Sequence, residues 1–87
     1  MDKSKYRTSH QGVAAYFLME AAVLLEVGND PNLGRTYFVF DIPVDLGRRQ
    51  AKSYFDGDVQ VDANAFYVKL TEIRGKIYEM RKKLGQV

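Results

Sequence analysis

The clearest pattern of hydrophobic and polar positions lies in the C-terminal part of the chain. Apolar residues recur there at every third or fourth position: Ala63, Phe66, Leu70, Ile73, Ile77, Met80 and Leu84. This spacing places them on one face of an α-helix, so it predicts a long amphipathic helix over residues 62–84. We call this apolar face the seam. The basic residues that border it are Lys69, Lys76 and Lys83 on one edge and Arg74 and Arg81 on the other.

A second helix is predicted near the N-terminus. Thr8 followed by Gln11 matches a capping box, so we expect a helix to begin near Ser9 and to run to about Ala22. Its apolar residues cover more than one stripe of the helix surface. The pattern therefore indicates the central helix of the domain, or a helix buried at a subunit contact.

Two runs rich in β-branched and aromatic residues follow this helix. Residues 23–27 and 35–41 predict the two strands of a hairpin, and residues 28–34 predict a loop of about seven residues between them. Phe38 and Phe40 share one face of the second strand and should meet the helices. Tyr37 lies on the other face.

The end of the hairpin and the next helix are marked by turn chemistry. Proline cannot donate to a strand ladder, so Ile42-Pro43 should end the strand. Asp45 can begin a short helix that reaches Tyr54 or Phe55, and Gly57 suits the left-handed residue after it.

These elements predict one α+β domain over residues 1–87, in the order helix, two-stranded antiparallel hairpin, short helix, long C-terminal amphipathic helix. Residues 1–7 are polar, and we expect them to be flexible. The N-terminus lacks the apolar region of a signal peptide, and no apolar run approaches the length that spans a bilayer. We therefore expect a cytoplasmic protein with no membrane association.

Charge and composition narrow the chemistry. The net charge is +2, but the basic residues gather at both ends and the acidic ones in the middle. This arrangement suits either self-complementarity, within the fold or between subunits, or basic arms for an acidic partner. The chain has no cysteine, which removes disulfides, zinc–cysteine sites and thiol catalysis.

No catalytic or cofactor motif is present. His10 is the one histidine, and we interpret it as a capping or surface residue because no nucleophile or carboxylate is placed beside it by the sequence. Asp56, Asp58 and Asp62 do not have calcium-loop spacing and are better interpreted as a helix end followed by a helix cap. Neither GxxxxGK[ST] nor GxGxxG occurs. We expect no enzyme activity, no cofactor and no metal, and the sequence does not identify whether a small-molecule ligand binds.

The chain resembles a family of small uncharacterised domains from bacteria and their phages. The residues that carry the resemblance are Tyr6-Arg7-Thr8-Ser9, Ala14-Ala15-Tyr16, the strand from Arg35 to Phe40 and Val61-Asp62-Ala63 with Phe66 and Leu70. It covers most of residues 6–78 and implies a compact α+β unit of unknown function. It implies no catalytic or ligand-binding residues.

Two functional hypotheses follow. The first is a small non-catalytic, oligomeric binding module, regulatory or nucleic-acid-binding, whose phosphate contacts would be Lys69, Arg74, Lys76, Arg81, Lys82 and Lys83, together with Lys3, Lys5 and Arg7. Tyr37 would be its base-stacking residue. The alternative is a homo-oligomeric protein–protein interaction module without a nucleic-acid role. In either case we expect a homodimer, because the long helix would outrun the core, and its seam would be Ile73, Ile77, Met80 and Leu84.

Overall fold

The computed structural model describes residues 4–85 and has an α+β architecture. Its elements, in chain order, are β1 (Lys5–Thr8), α1 (Gln11–Met19), β2 (Leu24–Asp30), β3 (Arg35–Pro43), α2 (Val44–Phe55) and α3 (Ala63–Lys83). The predicted α+β class is therefore confirmed. The helices pack on the face of the sheet that carries Phe38 and Phe40, whose side chains join residues of α1 and α3 in one core cluster. Tyr37 and Val39 lie on the other face of β3 and do not belong to that cluster, so we call it the helix-free face.

The sheet has three antiparallel strands in the order β1-β3-β2, so the predicted two-stranded hairpin is wrong. The missing strand is β1, of which Lys5, Tyr6 and Arg7 belong to the segment expected to be flexible, so that expectation is wrong for these residues. Its residues alternate between faces: Tyr6 packs against Phe17 with ring centroids 5.2 Å apart, and Lys5 forms an ion pair with Asp41 at 2.7 Å. Four residues carry too little hydrophobic signal to predict a strand by themselves. Residues 1–3 of the segment lie outside the described residues.

The turn between β2 and β3 is shorter than predicted. It occupies residues 31–34, because Gly28, Asn29 and Asp30 continue β2. The Asp30 side chain closes the turn: its Oδ1 accepts from the backbone N–H of Asn32 at 3.0 Å. Gly34 takes the left-handed conformation, with φ +63°. Position 28 of β2 suits glycine and no larger residue, because the Tyr37 ring of β3 occupies the place where a β-carbon would be.

Helix α1 is central, as predicted, but it begins two residues later than expected. Its N-cap is His10, whose Nδ1 accepts from the backbone N–H of Val13 at 3.1 Å. Thr8 instead ends β1, and its Oγ1 accepts from the backbone N–H of His10 at 3.1 Å. All six residues of the range 12–17 are buried, which explains the apolar pattern on more than one side.

The core lies between α1, α3 and the inner face of the sheet. Phe17, Phe38 and Phe40 are fully buried, and the rings of Phe17 and Phe40 meet edge to face at 5.3 Å. The prediction of a long C-terminal helix is confirmed, and its seam packs on this core, with Ile73 fully buried. Helix α2 follows β3 without a loop, and Gly57 after it has φ +77°, the left-handed conformation expected there.

Candidate anion-binding groove

An open groove of about 700 Å³ lies where the end of β1, the start of α1, the start of β3 and the last part of α3 converge. The residues that line it are Arg7, Thr8, Ser9, His10, Gln11, Gly12, Gly34, Arg35, Thr36, Ile77 and Arg81. The sheet pairing creates this site, because Thr8 at the end of β1 is brought close to the start of β3. Three segments that are distant in sequence, within residues 7–12, 34–36 and 77–81, thus form one surface.

The groove is strongly cationic. Arg7 from β1, Arg35 from β3 and Arg81 from α3 contribute to its wall, and no Asp or Glu is among the lining residues. Arg35 and Arg81 are solvent-exposed. Guanidinium groups suit carboxylate and phosphate ligands because their planar N–H donors match the oxygen geometry. The arrangement can therefore hold an anionic group.

Arg7 is held in place by its neighbours on the sheet. Its guanidinium carbon lies 3.7 Å from the centroid of the Tyr37 ring, and its Nη2 donates to Asp30 Oδ2 at 3.2 Å. Asp30 offsets part of the Arg7 charge, while its other oxygen holds the turn. The excess positive charge of the groove therefore comes mainly from Arg35 and Arg81.

Tyr37 lies on the helix-free face of the sheet, as predicted, yet it is only 8% exposed. Its ring lies across Gly28 and under Arg7, and its hydroxyl donates to Glu26 Oε2 at 2.6 Å. This hydrogen bond, together with burial, raises the pKa of Tyr37 above its ordinary value. A base could stack on this ring only if Arg7 moved away, so the stacking role of Tyr37 stays a prediction.

The N-cap of α1, His10, follows the end of β1 after one residue and forms part of the groove wall. His10 packs edge to face against Phe55 with ring centroids 4.8 Å apart, while its Nδ1 caps the helix. Gly12 is buried beneath the Tyr54 hydroxyl, which leaves no space for a β-carbon. The start of α1 is therefore fixed by aromatic packing against α2.

The structure brings some of the predicted phosphate contacts to the groove and leaves others apart. Arg81 lines it, and Arg74 Nε donates to Oε1 of Gln11, a lining residue, at 3.3 Å. Lys69 instead lies within 3.5 Å of Glu72 on its own helix. Of the predicted phosphate contacts on α3, only Arg81 lines the groove; the others are Lys69, Arg74, Lys76, Lys82 and Lys83.

Sequence reasoning missed Arg35 and His10 as groove residues. The sequence pattern places Arg35 at the start of a strand and predicts His10 to be a cap or surface residue; the structure confirms the cap. Their contribution depends on which segments the sheet and helices bring together. The nearest signal in the sequence is the run of turn-forming residues over 28–34, which places Arg35 at the turn end of the predicted hairpin.

The predicted oligomer seam is divided by the fold. Ile73 is fully buried inside the chain, and Ile77 packs against the core and lines the groove. Met80 is half-buried, and Leu84 is 46% exposed. Only the outer end of the seam is therefore open to a second copy.

Residues 4–85 contain neither a cluster of metal-ligating side chains nor a helix able to span a membrane. No group of three or more His, Cys, Asp or Glu side chains in this range could hold a metal ion. Asp56 is the C-cap of α2 and Asp62 the N-cap of α3. None of the described helices combines the length and apolar character needed to cross a membrane.

Comparison of the chain with protein-family models, with curated proteins and with solved structures found no match. The resemblance to the bacterial and phage domain family therefore stays a prediction. The geometry of the groove carries the functional argument.

Proposed function

We propose that the protein is a small non-catalytic module that binds nucleic acid through the phosphates of its backbone. The observation that carries the proposal is the convergence of Arg7, Arg35 and Arg81 on one open groove without an acidic lining residue. The groove is open to solvent, so a ligand larger than the groove can extend beyond it.

A polyanion is the partner that suits this surface best. The basic end of α3 continues the positive charge beyond the groove, since the last turn of the helix carries Arg81, Lys82 and Lys83. Binding that neutralises phosphates releases condensed counterions, so the affinity falls with salt concentration in proportion to the number of contacts. Salt dependence is therefore the diagnostic property of the proposal.

The test is fluorescence anisotropy with labelled DNA and RNA oligonucleotides over a salt titration. We expect binding at about 50 mM salt that weakens steeply toward about 200 mM. The double variant Arg35→Gln, Arg81→Gln should bind more weakly, and its slope of log affinity against log salt should be smaller by about 1.4 to 1.8, because it lacks two phosphate contacts.

The matched control is the double variant Arg48→Gln, Arg49→Gln. It removes the same charge from exposed positions of α2 that do not line the groove. We expect its affinity to fall much less and its salt slope to stay close to that of the wild type. Equal losses in the two double variants would show that only net charge matters, and absence of binding at low salt would contradict the proposal.

A further inference from the structure

One exposed face of α3 carries aromatic and basic side chains in alternation. At 3.6 residues per turn, positions 67, 71, 74, 78 and 81 fall on a single stripe, which we call the tyrosine–arginine stripe. Its members are Tyr67, Thr71, Arg74, Tyr78 and Arg81, and all five are solvent-exposed.

The stripe is continuous with the groove. Arg81 lines the groove directly, and Arg74 contacts Gln11 on the groove wall. Tyr78 lies four positions after Arg74 and three before Arg81, so it lies between the two arginines along the stripe. A chain held by the arginines would therefore pass over Tyr78.

The two stripe tyrosines are unusually open for large aromatic residues. Tyr67 is 65% exposed and Tyr78 is 54% exposed. Tyr6, Tyr16 and Tyr54 pack against other rings, and Tyr37 lies under Arg7, whereas neither stripe ring contacts another aromatic ring within residues 4–85. Their faces are thus available to a planar ligand group.

We infer that the nucleic acid is single-stranded and that its bases stack on Tyr78 and Tyr67 while its phosphates contact Arg74, Arg81 and the groove; this inference rests on the proposed function. Aromatic side chains that alternate with cationic ones are the means by which proteins bind unpaired bases without sequence preference. In a duplex the base faces are stacked on each other and are not accessible to a side chain. The 11 positions between Tyr67 and Tyr78 correspond to about 16 Å along the helix, which a segment of several nucleotides covers.

A protein partner suits the stripe less well. Tyrosine and arginine are also common at the centres of protein interfaces. However, Glu72 and Glu79 lie on a different face of α3, so the stripe has no acidic residue and would repel a second copy of itself. A second copy would have to offer a separate acidic surface.

The test compares three probes of equal length: a mixed-sequence single strand, the corresponding duplex, and an abasic single strand that has phosphates but no bases. The wild-type chain should bind the mixed-sequence strand more tightly than the other two. Tyr78→Ala should weaken binding of the mixed-sequence strand about tenfold, because stacking on one aromatic side chain is typically worth that much. It should leave binding of the abasic strand and the salt slope nearly unchanged.

Tyr78→Phe is the matched variant, because it retains the ring and removes only the hydroxyl. It should bind the mixed-sequence strand as the wild type does. If Tyr78→Ala bound that strand normally while Arg35→Gln, Arg81→Gln remained defective, stacking would be excluded and phosphate binding would stand. Absence of binding to all three probes would overturn both proposals. Loss of self-association in Tyr78→Ala without any nucleic-acid binding would assign the stripe to a protein interface.

Discussion

At the scale of single residues, the helix-free face of the sheet is stabilised by contacts among polar side chains. Tyr37 is central to this face: Arg7 covers its ring, and its hydroxyl donates to Glu26. Arg7 also reaches Asp30, which holds the turn of the hairpin. The position of Arg7 in the groove therefore depends on Tyr37, although Tyr37 does not line the groove.

Replacing Tyr37 with phenylalanine should lower the free energy of unfolding by about 1 kcal/mol at neutral pH, because the hydrogen bond to the exposed Glu26 carboxylate is lost. The pKa of Tyr37 is raised in the folded chain, first by that hydrogen bond and then by burial. The unfolded chain therefore loses this proton first, so stability should fall as the pH rises above about 10 and be unaffected by this group below it. Urea unfolding across this pH range is the measurement.

The Tyr37→Phe variant should lose stability less steeply above this pH than the wild type. Part of the loss should persist, because burial and the hydrogen bond to Glu20 also raise the pKa of Tyr16. A double-mutant cycle with Glu26→Ala, which removes the acceptor, isolates the interaction. If Tyr37→Phe cost as much in the Glu26→Ala background as alone, the hydrogen bond would not be the cause.

At the scale of elements, the packing of α2 on β1 depends on one glycine. Gly47 is buried in α2, and a β-carbon there would overlap the Cβ and Cγ atoms of Tyr6. Tyr6 is itself held against Phe17, so it cannot move away without loss of core packing. Glycine at position 47 lowers the helix propensity of α2, but it allows the helix to pack closely on β1, and this packing offsets the loss.

Gly47→Ala should therefore destabilise the fold by about 1 to 3 kcal/mol, the typical cost of overpacking. Gly75→Ala is the matched control, since Gly75 lies in the interior of α3 with no atom near the position of a β-carbon. That control should stabilise the chain by up to about 1 kcal/mol through helix propensity alone. Thermal unfolding of both variants measures the difference, and a stabilised Gly47→Ala protein would contradict the described packing.

The elements that could be predicted from sequence are those whose pattern is long enough to be specific. Seven apolar positions define α3, and the aromatic run of β3 is equally clear. Strand β1 could not be predicted, because its four residues are stabilised by contacts with Asp41 and Phe17, which are distant in sequence. The groove escaped prediction for the same reason, since Arg7, Arg35 and Arg81 meet only after β1 pairs with β3.

At the scale of the whole molecule, the fold shows which of the unevenly distributed charges are paired within the chain. The basic residues of β1 meet acidic residues of the middle segment within one chain, as Lys5 with Asp41 and Arg7 with Asp30. The end of α3 is different: Arg81 forms no ion pair with another residue of the range 4–85. Positive charge is therefore compensated at one end of the chain and left available at the other.

The predicted homodimer can now be tested at a specific position. Helix α3 has 21 residues, about 31 Å in length, which fits within the 38 Å long axis of the described chain, so helix length alone does not require a partner. Of the four residues of the predicted oligomer seam (Ile73, Ile77, Met80 and Leu84), Leu84 is the most exposed. A dimer that uses the outer end of the seam should dissociate in Leu84→Lys and persist in Leu33→Lys, which places the same charge on an exposed leucine of the hairpin turn. Light scattering over a wide range of protein concentration measures both, and a mass of one chain for the wild type throughout would contradict the dimer and assign nucleic-acid binding to a single chain.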